Sequence, residues 1–287
     1  MTHLQAAAVT QARGQEQAAF LRIPELKHVE VRFSRYRRQV FKKHTHDTYS
    51  IGMIHNGSSE AYLHDRLVTL RSGDLVFIPP GEVHACNPGG GTGLTYHMFY
   101  VEEPLMEALS RALFGRPEPG IACREVHVPG LRQEFAALYR LMARPGDLLE
   151  KQSQLYHTLG AALLACLPGQ AVLPSPAGGE QVLAGAYRFL MEHLYENVSL
   201  EELAGLAHMS PYHFLRTFRE VYGLPPHAYR LQKRVSAARR LLAQGHPVAQ
   251  VACETGFSDQ SHFTRHFKSL VGVTPRQYAD GGSPQNE

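Results

Sequence analysis

The chain has 287 residues, 44% hydrophobic and 19% charged, which is enough apolar material for two domain cores and excludes a wholly disordered chain. No apolar run approaches the ~18–20 residues of a membrane helix, so we expect no membrane-spanning segment and no membrane partner. The net charge of +3 is uneven, because residues 181–279 carry 11 basic and 7 acidic side chains, and a polyanion would therefore bind in the C-terminal third.

The N-terminal segment, residues 1–25, lacks the apolar stretch and cleavage site of a signal peptide. We therefore expect a cytoplasmic protein in which this segment is either a disordered tail or an arm. The four cysteines show no CxxC spacing and are expected to be reduced thiols; they are Cys86, Cys123, Cys166 and Cys253.

Residues 29–101 predict a series of short β-strands. The segments RFSRYRRQVF, YSIGMIH, EAYLHDRLVTL and DLVFIP are rich in β-branched and aromatic residues and are separated by Gly, Asn and Pro. Many short strands without intervening helices are typical of a small barrel or sandwich. Because helices follow, the predicted fold class is α+β, with a β-barrel first and an all-α domain after it.

Two amphipathic helices are predicted at 131–144 and 148–167, joined by Pro145 and Gly146. Such an antiparallel helical hairpin either dimerises the chain or covers one face of the barrel. Residues 168–180 contain three prolines and three glycines and predict a linker. The predicted division is an arm or tail at 1–25, a first domain at 26–167, the linker at 168–180, a second domain at 181–280 and a disordered tail at 281–287.

The last hundred residues contain a duplicated helical module. Members of the first copy, Leu200, Leu203, Ala204 and Ser210, recur 48 positions later as Val248, Val251, Ala252 and Ser258. Each copy predicts a short helix, a tight turn and a capped second helix, which is the helix-turn-helix pattern. Ser199 and Glu202 predict a capping box on the first helix, Ser210 caps the second, and Ser258 or Asp259 caps its counterpart.

In the second helix of each copy, the residue spacing predicts a polar face on one side and aromatic core residues on the other. A polar face alone is usually only solvated, but this one is duplicated and starts at a capped N-terminus. Arginine and glutamine can bond base edges, while lysine and helix N-termini hold phosphates. The candidate DNA contacts are Pro211, Tyr212, His213, Arg216, Thr217 and Arg219 in the first copy, and Asp259, Gln260, Ser261, His262, Thr264, Arg265 and Lys268 in the second.

A single long helix is predicted from Pro226 to about Ala243. Eighteen residues give a rod of ~27 Å, which can place two recognition helices in successive major grooves, ~34 Å apart on one face of DNA. Its basic side chains are either phosphate contacts or an ordinary solvated face; they are Lys233, Arg234, Arg239 and Arg240.

These C-terminal residues resemble the AraC/XylS family of bacterial transcription regulators. The segment GFSDQSHFTRHFKSLVGVTPRQY, residues 256–278, is similar to the family's signature, and the resemblance extends over about 185–279. It implies two helix-turn-helix units on a linker helix that read promoter DNA in adjacent major grooves. It further implies a ligand-responsive activator that works as a homodimer with RNA polymerase, and a dimerisation role for the hairpin at 131–167. The adjacent Pro225 and Pro226 depart from the family pattern without an expected consequence.

The strand-rich region resembles the cupin motifs. His44, His46, Ser50 and Gly57 fit the first motif except at its acidic position, and Gly73, Pro79, Gly81 and His84 fit the second except at its final Asn. The resemblance implies a small barrel with inward-facing motif histidines. In metal-dependent cupins these positions hold a metal, and three imidazoles without the carboxylate can still bind a divalent ion.

Three functions for the barrel follow, namely a pocket for a small-molecule effector, a structural or regulatory metal site, or an enzyme site. The missing carboxylate at Ser50 disfavours catalysis, so we predict a regulator without enzyme activity and without a cofactor. The candidate effector residues are His44, His46, Tyr49, Ser50, Tyr62 and His84. They suit a small polar molecule such as an amino acid, an organic acid or a sugar, anionic if Arg37 or Arg38 reaches the pocket. A purely architectural DNA binder is the remaining alternative, but it gives the barrel no purpose.

Overall fold

The computed structural model describes residues 17–38, 41–63, 66–90, 93–117, 120–122, 124–128, 130–167 and 179–280. The chain divides into two compact units, the first formed by Met1–Arg144 and His157–Leu173 and the second by Pro145–Tyr156 and Pro174–Glu287. Most of the predicted arm and linker, the predicted tail and Cys123 lie outside the described residues. Cys86, Cys166 and Cys253 form no disulfide bond. Within the described ranges, no helix combines the length and the apolar character needed to cross a membrane.

The first unit is built on an eight-stranded antiparallel sheet, which confirms the predicted strand-rich region. Its strands are β1 (Gln17–Arg22), β2 (Val29–Tyr36), β3 (Tyr49–Leu63), β4 (Arg66–Arg71), β5 (Leu75–Ile78), β6 (His84–Pro88), β7 (Leu94–Val101) and β8 (Arg124–Val126). The strand order is β1-β2-β7-β3-β5-β8, and β4 and β6 also pair with β3. The core between the strands is apolar and includes Ile54, Leu63, Ile78 and Met98.

The long strand β3 organises this unit because its two halves pair with different strands. Tyr49–Met53 runs beside β7, and Ser50–Met53 also pairs with β5, whereas Ser58–Leu63 pairs with β4 and β6. A register shift after Ile54 and the positive φ of Gly57 mark the change of direction. A Cβ at Gly57 would lie 1.8 Å from the carbonyl oxygen of Gly93, so only glycine fits there.

Three helices follow the main strands, α1 (Glu103–Phe114), α2 (Leu131–Met142) and α3 (Leu148–Cys166). Helices α2 and α3 confirm the two predicted helical segments. The Nε2 atom of His157 lies 3.8 Å from a carboxylate oxygen of Glu134, so α2 and α3 approach each other at these residues. The division of the chain falls within α3, since its first nine residues, 148–156, belong to the second unit.

The second unit is helical, and its helices confirm both predicted helix-turn-helix motifs. They are α4 (Gly179–Glu192), α5 (Leu200–Leu206), α6 (Pro211–Tyr222), α7 (Pro226–Ala243), α8 (Val248–Glu254), α9 (Gln260–Val271) and α10 (Pro275–Ala279). Helices α5 and α6 form the first motif, α8 and α9 form the second, and the 18-residue α7 connects them. The core of the second motif is apolar and includes Val251, Ala252, Phe263 and Phe267.

Caps and turns position the second helix of each motif. Ser199 and Glu202 form the predicted capping box, and the Ser210 hydroxyl accepts from the His213 amide at 3.3 Å. In the second copy the cap is Asp259, whose carboxylate accepts from the His262 amide at 2.7 Å. The turns are equivalent too, since His208 and Gly256, 48 positions apart, both have positive φ.

Candidate functional site

Helix α9 presents a polar, solvent-exposed face. Gln260, Ser261, Arg265 and Lys268 are exposed, and Thr264 between them is half-buried. On the opposite face Phe263 and Phe267 are completely buried. Positions 261, 265 and 268 follow helical spacing, so their side chains lie along one stripe that begins at the capped N-terminus. This stripe can donate hydrogen bonds to base edges and phosphates together.

Helix α6 presents a more covered and less basic face. Pro211, Tyr212, His213 and Arg216 are half-buried, and only Arg219 is exposed among the predicted contacts. Burial raises the pKa of Tyr212 and lowers that of His213. The Nε atom of Arg216 donates to Glu220 at 2.8 Å, whereas the equivalent of Glu220 in the second copy is Ser269. The two copies are therefore unequal, and α9 offers arginine without an acidic neighbour on the next turn.

The structure corrects the predicted exposure of three residues. Thr217 is only 1% exposed, because it lies three residues after Phe214 and beside Phe218 on the flank that packs into the core. His262 is 8% exposed, and its Nδ1 atom lies 3.1 Å from the hydroxyl of Ser258. Helical spacing predicts that both side chains face a DNA groove, but both are buried.

Arg234, the third of these residues, is 5% exposed and is not available to a phosphate. Its guanidinium donates to the carbonyl oxygens of Leu194, Glu196 and Gly256 at 2.7–3.0 Å, and to Asp147 at 3.2 Å. Burial, and then the neighbouring Arg230, lower the pKa of Arg234 to about 10. The prediction of Arg234 as a phosphate contact is therefore wrong, because its donors hold the ends of other segments together.

Asp147 and Arg230, which sequence reasoning missed, complete this buried network. Arg230 is 1% exposed and donates to Asp147 and to the Glu196 carbonyl. The other carboxylate oxygen of Asp147 accepts from the Glu150 amide at 3.2 Å, capping the start of α3. The sequence contains the signal Asp-x-x-Glu before a helix, but nothing in it indicates that the cap also binds two arginines.

The structure brings His44, His46 and His84 together in the first unit. Their ring centroids are 4.5–5.0 Å apart, and their nearest ligand nitrogens lie within 4.8 Å of one another. An isolated antiparallel bridge places the backbones of His44 and His84 opposite each other. Burial, and then His84 and His44, lower the pKa of His46 to about 4, and burial lowers that of His84. His46 and His84 are therefore neutral at physiological pH, and the neutral imidazole is the form that binds a cation.

Backbone carbonyls orient two of these rings. The Nδ1 atom of His44 lies 2.7 Å from the carbonyl oxygen of Lys42, and that of His84 lies 2.9 Å from the carbonyl oxygen of Glu82. A carbonyl can only accept, so both Nδ1 atoms carry a proton, and in the neutral form of such a ring the lone pair lies on Nε2. This is the arrangement that usually supports metal-ligating histidines.

The other predicted effector residues take different environments on β3. Ser50 is completely buried, and its hydroxyl has no hydrogen-bond partner among the described residues. Tyr49 and Tyr62 are half-buried, and the ammonium of Lys43 lies 3.3 Å from the centre of the Tyr62 ring. Arg37 and Arg38 are exposed.

A cavity of about 640 Å³ lies beside His46, within the usual size of small-molecule sites. Its lining comes from β1, the segment 23–28, β2, the segment 46–48 and the end of β7, and it includes Phe20, Arg22, Lys27, His28, Glu30, His46, Asp47, Tyr100 and Glu102. The ring of Tyr100 lies 5.1 Å from that of His46, and His28 contacts Glu102 at 2.7 Å. Sequence reasoning missed Arg22, Lys27 and Tyr100, because they lie outside the cupin motifs.

A second pair of histidines, His55 and His97, is buried elsewhere in the first unit. The Nε2 atom of His55 lies 2.5 Å from the Nδ1 atom of His97, and the His97 ring lies 3.7 Å from the Tyr139 ring. Burial, and then His55, lower the pKa of His97 to about 3. Both imidazoles therefore stay neutral in the folded chain at physiological pH.

We expect stability to fall with pH below 6.5 because of His97. Histidines of the unfolded chain titrate near pH 6.5, so below that pH the unfolded chain binds a proton at residue 97 that the folded chain does not. The free energy of unfolding therefore falls, and the contribution of this residue to the decrease reaches about 2 kcal/mol at pH 5. Urea unfolding between pH 5 and 7.5 measures the slope for the native chain and for His97→Gln, whose slope is shallower. Equal slopes for the two proteins would show that His97 keeps its ordinary pKa.

Two protein-family models match this chain. A family model described as an AraC-like ligand binding domain matches residues 26–159, and one described as a helix-turn-helix domain matches residues 203–281. The HTH-type transcriptional regulator YbfI of Bacillus subtilis is 30% identical over 227 residues, covering 78% of this chain and 82% of that protein.

Two further relatives match over most of their length. The arabinose operon regulatory protein of Escherichia coli is 24% identical over 246 residues, covering 81% of this chain and 80% of that protein. The HTH-type transcriptional activator RhaS of Salmonella schwarzengrund is 24% identical over 246 residues, covering 84% and 88% respectively.

Proposed function

Since the chain belongs to the AraC family of transcriptional regulators, with a ligand-binding and a DNA-binding domain, we propose that it is a sequence-specific activator that responds to a small polar metabolite. The observation that carries DNA recognition is the exposed stripe Gln260, Ser261, Arg265 and Lys268 at the capped start of α9. Helix α6 supplies the second, weaker contact through Arg219 and the half-buried Arg216.

The effector is proposed to bind in the cavity beside His46 and Tyr100. The lining carries the cations Arg22 and Lys27 together with three carboxylates, those of Glu30, Asp47 and Glu102. Such a balanced set of donors and acceptors favours a sugar or a zwitterionic amino acid over a simple organic anion. The aromatic ring of Tyr100 gives such a molecule an apolar surface to pack against.

A thermal-shift screen of the full chain against sugars, amino acids and organic acids tests this pocket. A ligand present at 100 times its Kd stabilises the folded chain by about 2.7 kcal/mol, and we expect Tyr100→Ala to abolish that shift. Arg37→Ala, an exposed arginine outside the cavity lining, is the matched control and keeps the shift. A ligand whose shift survives Tyr100→Ala and is lost in Arg37→Ala would move the effector site away from this cavity.

A metal-dependent sensor is the second candidate function for the first unit. The observation that favours it is the orientation of His44 and His84, whose Nδ1 protons are held by backbone carbonyls. Three imidazoles fit Zn²⁺ or a similar ion, which would act there as a Lewis acid toward a bound effector. A chelator that lowers the Tm of the native chain by more than that of His84→Asn would support this alternative over a metal-free pocket.

The chain is further proposed to act as a homodimer that contacts RNA polymerase. The support is family membership and the presence of the α2–α3 pair, whose sequence resembles the family's dimerisation hairpin. Light scattering of the purified chain at micromolar concentration gives the mass of a dimer on this proposal and that of a monomer if the hairpin only covers the sheet.

A further inference from the structure

Three potential metal ligands converge in the second unit, at the second recognition helix. Glu150 lies in the first turn of α3, and His262 and His266 lie four residues apart on α9. One ligand atom from each residue lies within 4.8 Å of the other two. Glu150 and His266 are half-buried and His262 is buried, so the three groups meet in a partly desolvated place. Neither the family match nor the predicted DNA contacts account for this cluster.

The spacing of the two histidines suits chelation of one ion. Residues at i and i+4 lie on the same helix face, and this is the arrangement in which helical zinc sites use paired histidines. The two rings are 4.5 Å apart between centroids and nearly perpendicular. Ligand atoms bound to one tetrahedral zinc at ~2.0–2.2 Å are about 3.5 Å apart, so small side-chain rotations would close the cluster on an ion.

Neighbouring groups orient the ligands. The Ser258 hydroxyl lies 3.1 Å from the Nδ1 atom of His262, which leaves Nε2 as the nitrogen that would bind the ion. Asp147 fixes the first turn of α3 by accepting from the Glu150 amide. Asp147 also pairs with Arg230 and Arg234, which lie beside the cluster, so its carboxylate offsets one of these two positive charges and Glu150 supplies a second negative charge.

The sequence repeat shows that the cluster is confined to the second motif. The positions 49 residues before His262 and His266 are His213 and Thr217, and the buried Thr217 is a poor ligand. A general role in helix-turn-helix folding would require the pair in both copies. The second histidine is therefore specific to α9, the helix with the more exposed polar stripe.

We propose that Glu150, His262 and His266 form a site for a divalent transition-metal ion, such as Zn²⁺, that fastens α9 to the first turn of α3. Imidazole and carboxylate ligands select zinc, cobalt or nickel over the harder magnesium and calcium. Bound metal would hold α9 in one orientation and so regulate the DNA recognition proposed above. That consequence rests on the proposed function, whereas the site itself does not.

Metal titration of the chelator-treated full chain tests the site directly. Co²⁺ absorption and calorimetry with Zn²⁺ count the sites and measure their affinity in the native chain, His266→Asn and Glu150→Gln. We expect His266→Asn to lose one equivalent, with affinity weakened at least about 100-fold, and Glu150→Gln to weaken the same site. His213→Asn, the matched histidine of the first motif, is expected to bind as the native chain does.

A further variant distinguishes metal binding at this site from metal binding at the cluster of His44, His46 and His84. His84→Asn removes any ion held in the first unit, and the site proposed here must remain in it. Paramagnetic shifts of the His262 and His266 imidazole signals on Co²⁺ addition provide a readout in the native chain that needs no folded variant. The proposal is overturned if those signals do not shift, or if His266→Asn and Glu150→Gln bind the same equivalents with unchanged affinity.

DNA affinity is measured separately, so that failure of one proposal is distinguishable from failure of the other. Metal binding that is lost in His266→Asn supports the site even if the chain shows no sequence-specific DNA binding. Specific DNA binding without any ion at α9 leaves the proposed function intact and removes the metal site.

Discussion

Arg234→Ala is expected to lower the free energy of unfolding of the second unit by roughly 3–5 kcal/mol, the usual cost of removing one member of a buried ionic network. The substitution leaves the backbone carbonyls of Leu194 and Gly256 without their charged donor, and it leaves the Glu196 carbonyl with Arg230 alone. It also leaves Asp147 with Arg230 as its remaining arginine partner in this network. Native-state hydrogen exchange of the α7 amides measures the change without requiring the two units to unfold together.

Arg240→Ala provides the control for this experiment. Arg240 lies in the last turn of the same helix and is exposed, so its removal changes stability by no more than about 0.5 kcal/mol. If Arg234 instead contacted a phosphate, Arg234→Ala would keep its stability, weaken binding to all DNA sequences and reduce the salt slope by about one. That result would contradict the structural role assigned to Arg234.

Arg265→Ala is expected to weaken binding to the specific site by about 1–3 kcal/mol, which is roughly 5- to 150-fold in Kd. Arg265 is exposed on α9, and the position one turn later is Ser269 rather than an acidic residue. Its guanidinium can therefore make the bidentate contact with guanine that dominates recognition in the major groove. Fluorescence anisotropy with the preferred site and a scrambled duplex, at one fixed salt concentration, gives the specificity ratio.

Arg216→Ala and Arg188→Ala are the variants with which the affinity loss of Arg265→Ala is compared. Arg216 already donates to Glu220, so its removal should cost less than that of Arg265. Arg188 is exposed on α4, outside both motifs, and its removal should leave the specificity ratio unchanged. Equal loss of affinity for the preferred and scrambled duplexes in Arg265→Ala would assign Arg265 to the phosphates instead of the bases.

The two helix-turn-helix motifs and α7 were predictable because local signals and a repeat specify them. The capping residues Ser199 and Ser210, the turn at Gly256 and the length of α7 each depend on a few neighbouring residues, and two copies of the pattern support each other. The environment of Arg234 was not predictable in the same way. Its partners come from segments 22–87 positions away in sequence, and only the packed fold shows that they surround one guanidinium.

In the first unit too, sequence motifs predicted one part of the candidate site, whereas the other part depends on tertiary packing. The histidines at 44, 46 and 84 were expected together from the cupin motifs, and the bridge between His44 and His84 brings them there. The cavity beside them was not expected, since Arg22 and Lys27 precede the motifs and Tyr100 follows them. Strand pairing of β1 with β2, and of β2 with β7, brings these three parts of the chain into one unit.

Selection of bound duplexes from a random library by the full chain tests the central claim most directly. Because α7 connects the two recognition helices, we expect an enriched site with two conserved blocks about 10–10.5 base pairs apart. Both blocks should be protected on the same face of the DNA. Arg265→Ala should lose the preference within one block while keeping the other. Enrichment of no sequence, or a single block that Arg265→Ala leaves unchanged, would contradict recognition through α6 and α9.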